Sequence, residues 1–178
     1  MALRLRSARA SDAHCVAAIQ LASWRDTYRG ILDDAFLDGP LEAELLAHWE
    51  DMIAQRRRAG VVILATAAGG PVGFVAAWRE GRVALVDNLH VRPGVRGAGI
   101  GRALLGFAAQ RLQTQGCTTV ELTVFAANEG ALRFYRALRA TIGPEEPGVT
   151  HGQQVPERRC AWPAIETLIA AAARPKSR

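Results

Sequence analysis

The stretch that decides the fold covers residues 83–105, which read VALVDNLHVRPGVRGAGIGRALL. Its first nine residues are rich in valine and leucine, and they predict a strand that ends before Pro93. A glycine-rich turn follows over residues 96–101, and apolar residues at helical spacing begin at Ile100. The order strand, turn, helix predicts that the turn lies at one end of a sheet.

This turn has the properties of an anion site, and it reads Arg96-Gly97-Ala98-Gly99-Ile100-Gly101. Glycines permit positive φ and let backbone N–H groups approach a ligand with no Cβ in the way. At a helix N-terminus the first four N–H groups lack partners within the helix, and the helix dipole favours negative charge. The side chains of Arg96 and Arg102 can add direct charge, so a pyrophosphate suits the turn.

Two other phosphate-binding motifs fit the turn poorly. A P-loop requires lysine and then serine or threonine after its last glycine, whereas Arg102 and Ala103 follow here. The dinucleotide-binding fingerprint needs the spacing GxGxxG, which the turn lacks, although Glu121 lies at a suitable distance for that motif's acidic residue. What remains is the pattern Arg-x-x-Gly-x-Gly.

That pattern resembles the pyrophosphate loop of the GNAT family, the GCN5-related N-acetyltransferases. Residues 89–93, Leu-His-Val-Arg-Pro, resemble the strand end and turn that precede this loop in the family. Residues 128–135, Asn-Glu-Gly-Ala-Leu-Arg-Phe-Tyr, are similar to the family's Asn-x-x-Ala-x-x-Phe-Tyr signature. Residues 23–32 resemble the first helix and the following loop of many bacterial members. The resemblance therefore extends over roughly residues 3–162 in the family's order.

The chain departs from the family after this signature. Family members usually continue Phe-Tyr-x-x-x-Gly-Phe, and here Arg139 stands at the glycine position. That glycine normally ends the helix in a left-handed conformation, so we expect either strain at Arg139 or a different helix ending.

A single α+β domain is the predicted architecture, because 178 residues with about half of them apolar suffice for one core. The resemblance implies a GNAT-like fold, with a mixed central sheet of about six to seven mostly antiparallel strands flanked by helices. We expect the N-acetyltransferase domain over residues 1–163 and a C-terminal helix and tail over residues 164–178. Strands are predicted at residues 3–9, 61–65, 72–78, 83–91, 118–125, 141–145 and 155–162. Helices are predicted from Ser11 to Tyr28, near Asp33, from Leu41 to near Gly60, and over residues 100–112, 129–138 and 164–173.

The family resemblance implies an acetyl-CoA-dependent N-acetyltransferase that transfers the acetyl group directly to a primary amine in a ternary complex. It implies that backbone groups of Leu89 and Val91 flank the pantetheine arm of acetyl-CoA, and that Asn128 contacts the same arm. Backbone amides from Arg96 to Gly101, with Arg102, would hold the pyrophosphate. The alternative is an acyl-CoA-binding sensor without turnover.

Tyr135 matches the family's general acid, which protonates the departing thiolate, although the residue could equally be a core aromatic beside Phe134. The general base has three candidates, His90, Asp87 and Glu121, and a water chain without a dedicated base is a fourth possibility. Strand periodicity predicts that Asp87 and His90 point to opposite faces, because they are three residues apart.

Trp24 and Tyr28 lie one helical turn apart and share a helix face, so they are either core residues or an aromatic wall for the acceptor. Nine acids between Asp12 and Asp51 face only Arg25 and Arg29 in that stretch. We interpret these acids as a rim that attracts a cationic acceptor, either a small molecule or a peptide amine.

The formal charge of +5 suggests an anionic partner, but the sequence has no basic stripe with interleaved aromatics, so nucleic-acid binding is not expected. A membrane span is not expected either, since no apolar run approaches roughly 20 residues. The histidines and cysteines lack metal-ligand spacing, and the three unpaired cysteines predict free thiols in a reducing cytoplasm. An exposed last strand over residues 155–162 and the apolar helix after it could support a homodimer, or they could cover the core.

Overall fold

A seven-stranded mixed sheet forms the centre of the structure, which is a computed structural model describing residues 3–55 and 59–174. The sheet strands are β1 (Arg4–Ser7), β2 (Gly60–Ala67), β3 (Gly70–Glu80), β4 (Val83–Val91), β5 (Thr119–Phe125), β6 (Thr141–Glu146) and β9 (Glu157–Trp162). A separate hairpin consists of β7 (Val149–Thr150) and β8 (Gln153–Gln154). The helices are α1 (Ala13–Thr27), α2 (Asp34–Asp38), α3 (Leu41–Gln55), α4 (Ile100–Gln113), α5 (Glu129–Ala137) and α6 (Ile165–Ala173).

The strand order is β1-β2-β3-β4-β5-β9-β6, and all pairs are antiparallel except β4 with β5. This confirms the expected α+β fold with a mixed, mostly antiparallel sheet. The start of the first helix was predicted wrongly: residues Ala10–Asp12 form a short 3-10 helix, and α1 follows it at Ala13.

Each face of the sheet is covered by its own group of helices. On one face, α4 and α6 bury side chains such as Leu104, Leu105 and Leu168 against the sheet. On the other face, α1 and α3 pack Ile19 and Trp49 against the sheet in a second core. The C-terminal helix predicted within residues 164–178 is therefore part of the first core, and residues 175–178 of that segment lie outside the described residues.

The two middle strands of the sheet diverge. Among the described residues, β4 and β5 pair in parallel only where Val83–Leu85 lies beside Thr119–Glu121. Beyond these three pairs, β4 still pairs with β3 as far as Val91, and β5 still pairs with β9 as far as Phe125. The facing edges of the carboxyl-terminal halves of β4 and β5 therefore border an opening within the sheet.

A β-bulge at Asp87 changes the direction of the side chains along β4. Ala76 of β3 pairs with Asn88, but the next residue, Ala77, pairs with Val86, so Asp87 is an extra residue on β4. The Asp87 carboxylate accepts hydrogen bonds from the Trp78 indole at 3.3 Å and from the Asn88 amide at 3.0 Å. The bulge therefore puts the neighbouring side chains of Asp87 and Asn88 on the same face of the sheet.

The features that suggested a homodimer have other roles in this structure. Strand β9 lies between β5 and β6, so the expectation of an exposed last strand is wrong. The apolar residues Ile165 and Leu168 of α6 are fully buried against the core of the same chain. The idea of a homodimer thus receives no support from these elements.

Helix α5 ends in a left-handed residue although that residue is not glycine. Arg139 has φ 67°, its N–H donates to the carbonyl of Arg136, and the N–H of Ala140 donates to the carbonyl of Tyr135. These two bonds form a Schellman ending, which normally uses glycine. Of the two outcomes expected at this position, the strained left-handed ending is the one observed.

Replacing Arg139 with glycine should raise the free energy of unfolding by about 0.5–1 kcal/mol, because glycine adopts positive φ without the steric cost of a Cβ. Arg133→Gly is the matched control, since Arg133 is an exposed residue inside α5, and this change should destabilise by about 1 kcal/mol. Urea unfolding of both variants measures the effect, and equal destabilisation by the two would contradict the expectation.

Candidate active site

The glycine-rich turn lies between the end of β4 and the start of α4, at the opening between β4 and β5. Gly94, Gly97 and Gly99 have φ values of 83°, 85° and 83°, and a Cβ added at any of them would meet nothing within 4 Å. Gly99 is the N-cap residue of α4, and it has no side chain that could accept from the first helical turn. The first-turn N–H groups of α4, from Ile100 to Arg102, lack partners within the helix, and such groups suit an anion such as a pyrophosphate.

The two arginines expected to add charge to the turn are directed elsewhere. Arg96 donates to Asp26 and Ser23 of α1 and to the carbonyl of Val91. Arg102 donates to the carbonyls of Ala171 and Arg174, each at 3.0 Å, at the C-terminal end of α6. Both guanidinium groups thus have partners within the chain, and their expected role in holding a pyrophosphate stays a prediction.

His90 is buried on the face of β4 that packs against α1, with 8% of its surface exposed. Its Nδ1 lies 3.0 Å from the Ser23 hydroxyl, and its Nε2 lies 3.4 Å from the Trp24 indole nitrogen and 3.3 Å from Asn88 Oδ1. Burial, and secondarily the positive charge of Arg96, lower the pKa of His90 to about 3. The imidazole is therefore neutral at ordinary pH.

The expectation that Asp87 and His90 point to opposite faces is wrong. Asn88 contacts His90 on the α1 face and also donates to Asp87, whose carboxylate contacts Trp78 in the core of that face. The reason is the bulge at Asp87, which breaks the two-residue alternation along β4. Leu89 and Val91 pack against the opposite core.

Sequence reasoning missed the polar side chains that join α1, α3 and β4. The Trp49 indole donates to Gln20 at 2.6 Å, and the Gln20 amide donates to Asn88 at 3.0 Å. Gln20 is buried, and its amide has one partner on α3 and one on β4. A polar residue on the buried face of α1 was the available signal, since buried polar groups need partners.

Tyr135 of α5 lies near enough to Tyr28 for the two phenols to interact electrostatically. The Tyr135 ring is 8% exposed and contacts Phe134 and Trp162, with ring centroids 5.2 and 6.0 Å apart. Burial raises the pKa of Tyr135 well above its usual value, and Tyr28 and Cys160 add to the shift. Its phenol therefore carries a proton at neutral pH.

Asn128 has a structural role at the start of α5. It is the N-cap residue, and its Oδ1 accepts from the N–H of Ala131 at 3.0 Å. Burial raises the pKa of Tyr28, and a hydrogen bond with Asn128 partly opposes that shift. Asn128 thus joins the first helix to the strand β5 and helix α5.

Trp24 and Tyr28 belong to a row of aromatic rings that runs from the opening to α2. Tyr28 contacts Phe125 and Trp24, with centroids 4.8 and 5.3 Å apart. Trp24 and Phe36 both contact the ring of His151, at 5.7 and 4.6 Å. Trp24 is buried and Tyr28 partly buried, so the pair serves the core and borders the opening at once.

His151 was not identified from the sequence. It lies in the β7–β8 hairpin with φ 48°, beside Gly152 with φ 76°, and its Nδ1 is 3.4 Å from Glu44. Positive φ at both central residues is typical of a tight hairpin turn of type I′. The dipeptide His-Gly was the only local signal for this hairpin.

Most of the acids between Asp12 and Asp51 have partners within the chain. They make an ion pair, a hydrogen bond or a contact with a histidine: Asp12 with Arg6, Asp26 with Arg96, Asp33 with Ala35 N–H, Asp34 and Asp38 with Arg29, Glu42 with Arg25, Glu44 with His151, and Glu50 with His14. All of the nine except Asp12 are exposed, and their role in attracting a cationic acceptor stays a prediction.

A cavity of about 250 Å³ lies where β4 and β5 begin to diverge. The carboxylates of Glu80, Asp87 and Glu121 line it, together with Trp78 and Arg159. Glu121 forms an ion pair with Arg159 on β9. Two of the three base candidates, Asp87 and Glu121, therefore lie at this cavity, whereas His90 lies in the interface with α1.

In the described ranges 3–55 and 59–174, no group of three or more histidine, cysteine, aspartate or glutamate side chains could hold a metal ion. No described helix is long and apolar enough to cross a membrane. Cys15, Cys117 and Cys160 are all free thiols.

Lowering the pH should reduce the free energy of unfolding, because His90 stays neutral in the folded state. Its pKa in the folded state, about 3, lies below the ordinary value of 6.5, so only the unfolded chain gains a proton as the pH falls between these values. The folded state should lose about 1.4 kcal/mol per pH unit in this window from His90 alone. Urea unfolding of the wild type and His90→Gln from pH 7 to 4.5 measures this loss. As the pH falls, the free energy of unfolding of the variant should decrease less than that of the wild type. Equal decreases in the two proteins would contradict the lowered pKa of His90.

Comparison with known proteins places the chain in a family. The model of the Acetyltransferase (GNAT) family matches residues 20–139. An uncharacterised N-acetyltransferase of Methanocaldococcus jannaschii is 40% identical over 91 residues, which are 47% of this chain and 38% of that protein. The uncharacterised N-acetyltransferase YuaI of Bacillus subtilis is 25% identical over 173 residues, which are 93% of this chain and 97% of that protein.

A solved structure has the same fold. The PaiA N-acetyltransferase of Thermoplasma acidophilum, in complex with coenzyme A, superposes with a TM-score of 0.69 at 20% sequence identity, covering 89% of this chain and 98% of that one. The family match covers most of the chain, and it includes both the glycine turn at the opening of the sheet and the helix that carries Tyr135. The chain belongs to the GNAT family of acetyltransferases.

Proposed function

We propose that this protein is an acetyl-CoA-dependent N-acetyltransferase that transfers the acetyl group directly to a primary amine within a ternary complex. The observation that carries the proposal is the opening between β4 and β5, with the glycine turn at the end of β4 and Tyr135 on the helix after β5. The PaiA relative in complex with coenzyme A supports a coenzyme A donor.

The residues at the opening fit coenzyme A. The proposed pyrophosphate position lies at the first turn of α4, and a Cβ added at Gly94, Gly97 or Gly99, which all have positive φ, would meet nothing within 4 Å. Backbone groups of Leu89 and Val91, in the part of β4 that does not pair with β5, are proposed to flank the pantetheine arm. The amide of Asn128 lies across the opening, at the start of α5.

Tyr135 is the proposed general acid. During transfer the amine nitrogen forms a bond to the thioester carbonyl carbon, the carbon–sulfur bond breaks, and the thiolate needs a proton. The phenol of Tyr135 remains protonated at neutral pH because burial raises its pKa, so it can supply that proton. A proton donor held in a protected site suits this step better than one exposed to water.

Asp87 is the proposed base, acting through water. It is exposed at the bulge on β4 and lines the cavity at the point where the strands diverge. His90 is a poor base because its pKa is lowered to about 3 and its ring nitrogens contact Ser23, Trp24 and Asn88. Glu121 is a poorer candidate than Asp87, since its carboxylate already pairs with Arg159.

The acceptor is proposed to be a cationic primary amine on a small molecule or a peptide. The carboxylates of Glu80, Asp87 and Glu121 favour positive charge at the cavity, and Arg159 offsets one of them. The aromatic rings of Trp24 and Tyr28 offer an apolar surface beside the opening.

The donor can be tested first by thermal unfolding with acetyl-CoA, CoA, ATP and NAD at equal concentration and salt. At about one hundred times the dissociation constant, a ligand should stabilise by about 2.7 kcal/mol, which is about 5 °C or more for a chain of this size. We expect the shift with the two coenzyme A compounds and no shift with ATP or NAD. A cooperatively unfolding sample that shows no shift with acetyl-CoA or CoA would overturn the proposed donor.

Tyr135→Phe should lower kcat by about 10²-fold while leaving the affinity for acetyl-CoA unchanged, because it removes the proton donor and keeps the buried ring. Thiol release with the best acceptor from a panel of primary amines measures the rate, and calorimetry with CoA measures the affinity. A sensor without turnover would release no thiol with any acceptor and would lose nothing by this substitution. An unchanged kcat would remove Tyr135 from the mechanism.

A further inference from the structure

We propose that Arg96 is a positioning residue that holds the glycine turn against α1, and that it does not act by placing its charge on the pyrophosphate. The proposal rests on the function proposed above, since it concerns how the turn binds coenzyme A. It assigns Asp26 and Ser23, which lie outside the coenzyme site, a share in the affinity for the coenzyme.

All three nitrogens of the Arg96 guanidinium group have partners in this chain. Nη1 donates to the Asp26 carboxylate at 2.6 Å, and Nη2 donates to the Ser23 hydroxyl at 3.0 Å. Nε donates to the carbonyl of Val91 at 3.2 Å. Because Ser23 and Asp26 are three residues apart on α1, they lie on one helix face and can bind the same guanidinium.

The bond from Arg96 to Val91 closes the turn on itself. Val91 is the last residue of β4, and Arg96 is the first residue of the Arg-x-x-Gly-x-Gly pattern. The side chain thus connects the two ends of the segment between strand and pattern, while Asp26 and Ser23 hold the guanidinium against α1. A planar group with several fixed donors suits such a bridge, and a lysine ammonium does not.

The electrostatics agree with this position. The charge of Arg96 adds to the burial that lowers the pKa of His90, and it offsets part of the rise that burial causes in the pKa of Tyr28, so the guanidinium lies beside the α1 interface. Ser23, the partner of Arg96, also contacts His90 Nδ1. The bridge therefore connects the glycine turn with the helix that carries Trp24 and Tyr28.

The two possible roles of Arg96 predict opposite effects of removing Asp26. If the Arg96 charge acts on the pyrophosphate, Asp26→Asn frees the guanidinium, removes a nearby negative charge and strengthens coenzyme binding. If Arg96 acts as a bridge, Asp26→Asn loosens the turn and weakens binding. The pair is partly exposed, so its ion pairing alone contributes little, and the effect depends on the shape of the turn.

The test is the dissociation constant for CoA, measured by calorimetry at one salt concentration for the wild type, Arg96→Gln, Asp26→Asn and the double variant. Each single substitution should weaken binding by about tenfold, and the double variant should bind no more weakly than Arg96→Gln, since contacting residues are not additive. Asp26→Asn binding as tightly as the wild type or more tightly would overturn the proposal, as would two additive losses.

Two controls separate positioning from charge. Arg96→Lys keeps the charge but not the fork of donors, so it should bind CoA as weakly as Arg96→Gln, and wild-type affinity in this variant would overturn the proposal. Asp38→Asn removes an exposed carboxylate that pairs with Arg29, and it should leave the affinity unchanged. A wild type that fails to bind CoA would overturn the proposed function itself, which the variants do not address.

Discussion

The feature on which the rest of the site depends is the early end of backbone pairing between β4 and β5. Three residue pairs hold the strands together, and beyond them each strand remains bonded to its outer neighbour. The opening brings the end of β4 and the end of β5 to the same side of the molecule, since the two strands are parallel. The glycine turn and the start of α5 consequently face each other across it.

The α1 side of β4 carries a second constraint, which is the need to satisfy buried polar groups. The bulge at Asp87 turns Asn88 towards Gln20 and His90, and a neutral imidazole fits among these amide and hydroxyl groups. A charged imidazole would have to be desolvated beside Arg96, which explains its low pKa. Helix α1 is therefore joined to β4 by polar contacts as well as by apolar packing.

The parts of the site that the sequence predicted are those set by local pattern. The turn at residues 96–101 and the helix carrying Tyr135 follow from residue spacing and glycine chemistry within a few residues. The left-handed conformation of Arg139 was one of two outcomes that the family's usual glycine at that position left open. The bulge at Asp87 could not be predicted, because an extra residue in a strand leaves the composition of the strand unchanged and is visible only against its partner strand.

The side-chain contacts of Arg96 and Arg102 depend on residues far along the chain, so the local pattern could not predict them. Arg102 donates to carbonyl groups at the end of α6, about 70 residues later. Arg96 meets partners on α1, about 70 residues earlier. Among the acids of the first helices, Asp34 and Asp38 pair with the nearby Arg29, whereas Asp26 pairs with the distant Arg96, and charge counting over a stretch does not reveal which pairs form.

The divergence of β4 and β5 also affects the tendency of the ligand-free protein to aggregate. The facing edges beyond Leu85 and Glu121 are sheet edges inside a single chain, with backbone donors and acceptors left over from the ladder between these two described strands. An extended segment of another polypeptide can pair with such an edge, which is how sheet proteins aggregate. If coenzyme A lies in the opening as proposed, it and a stray strand compete for the same backbone, and solubility at high concentration then depends on occupancy as well as on sequence.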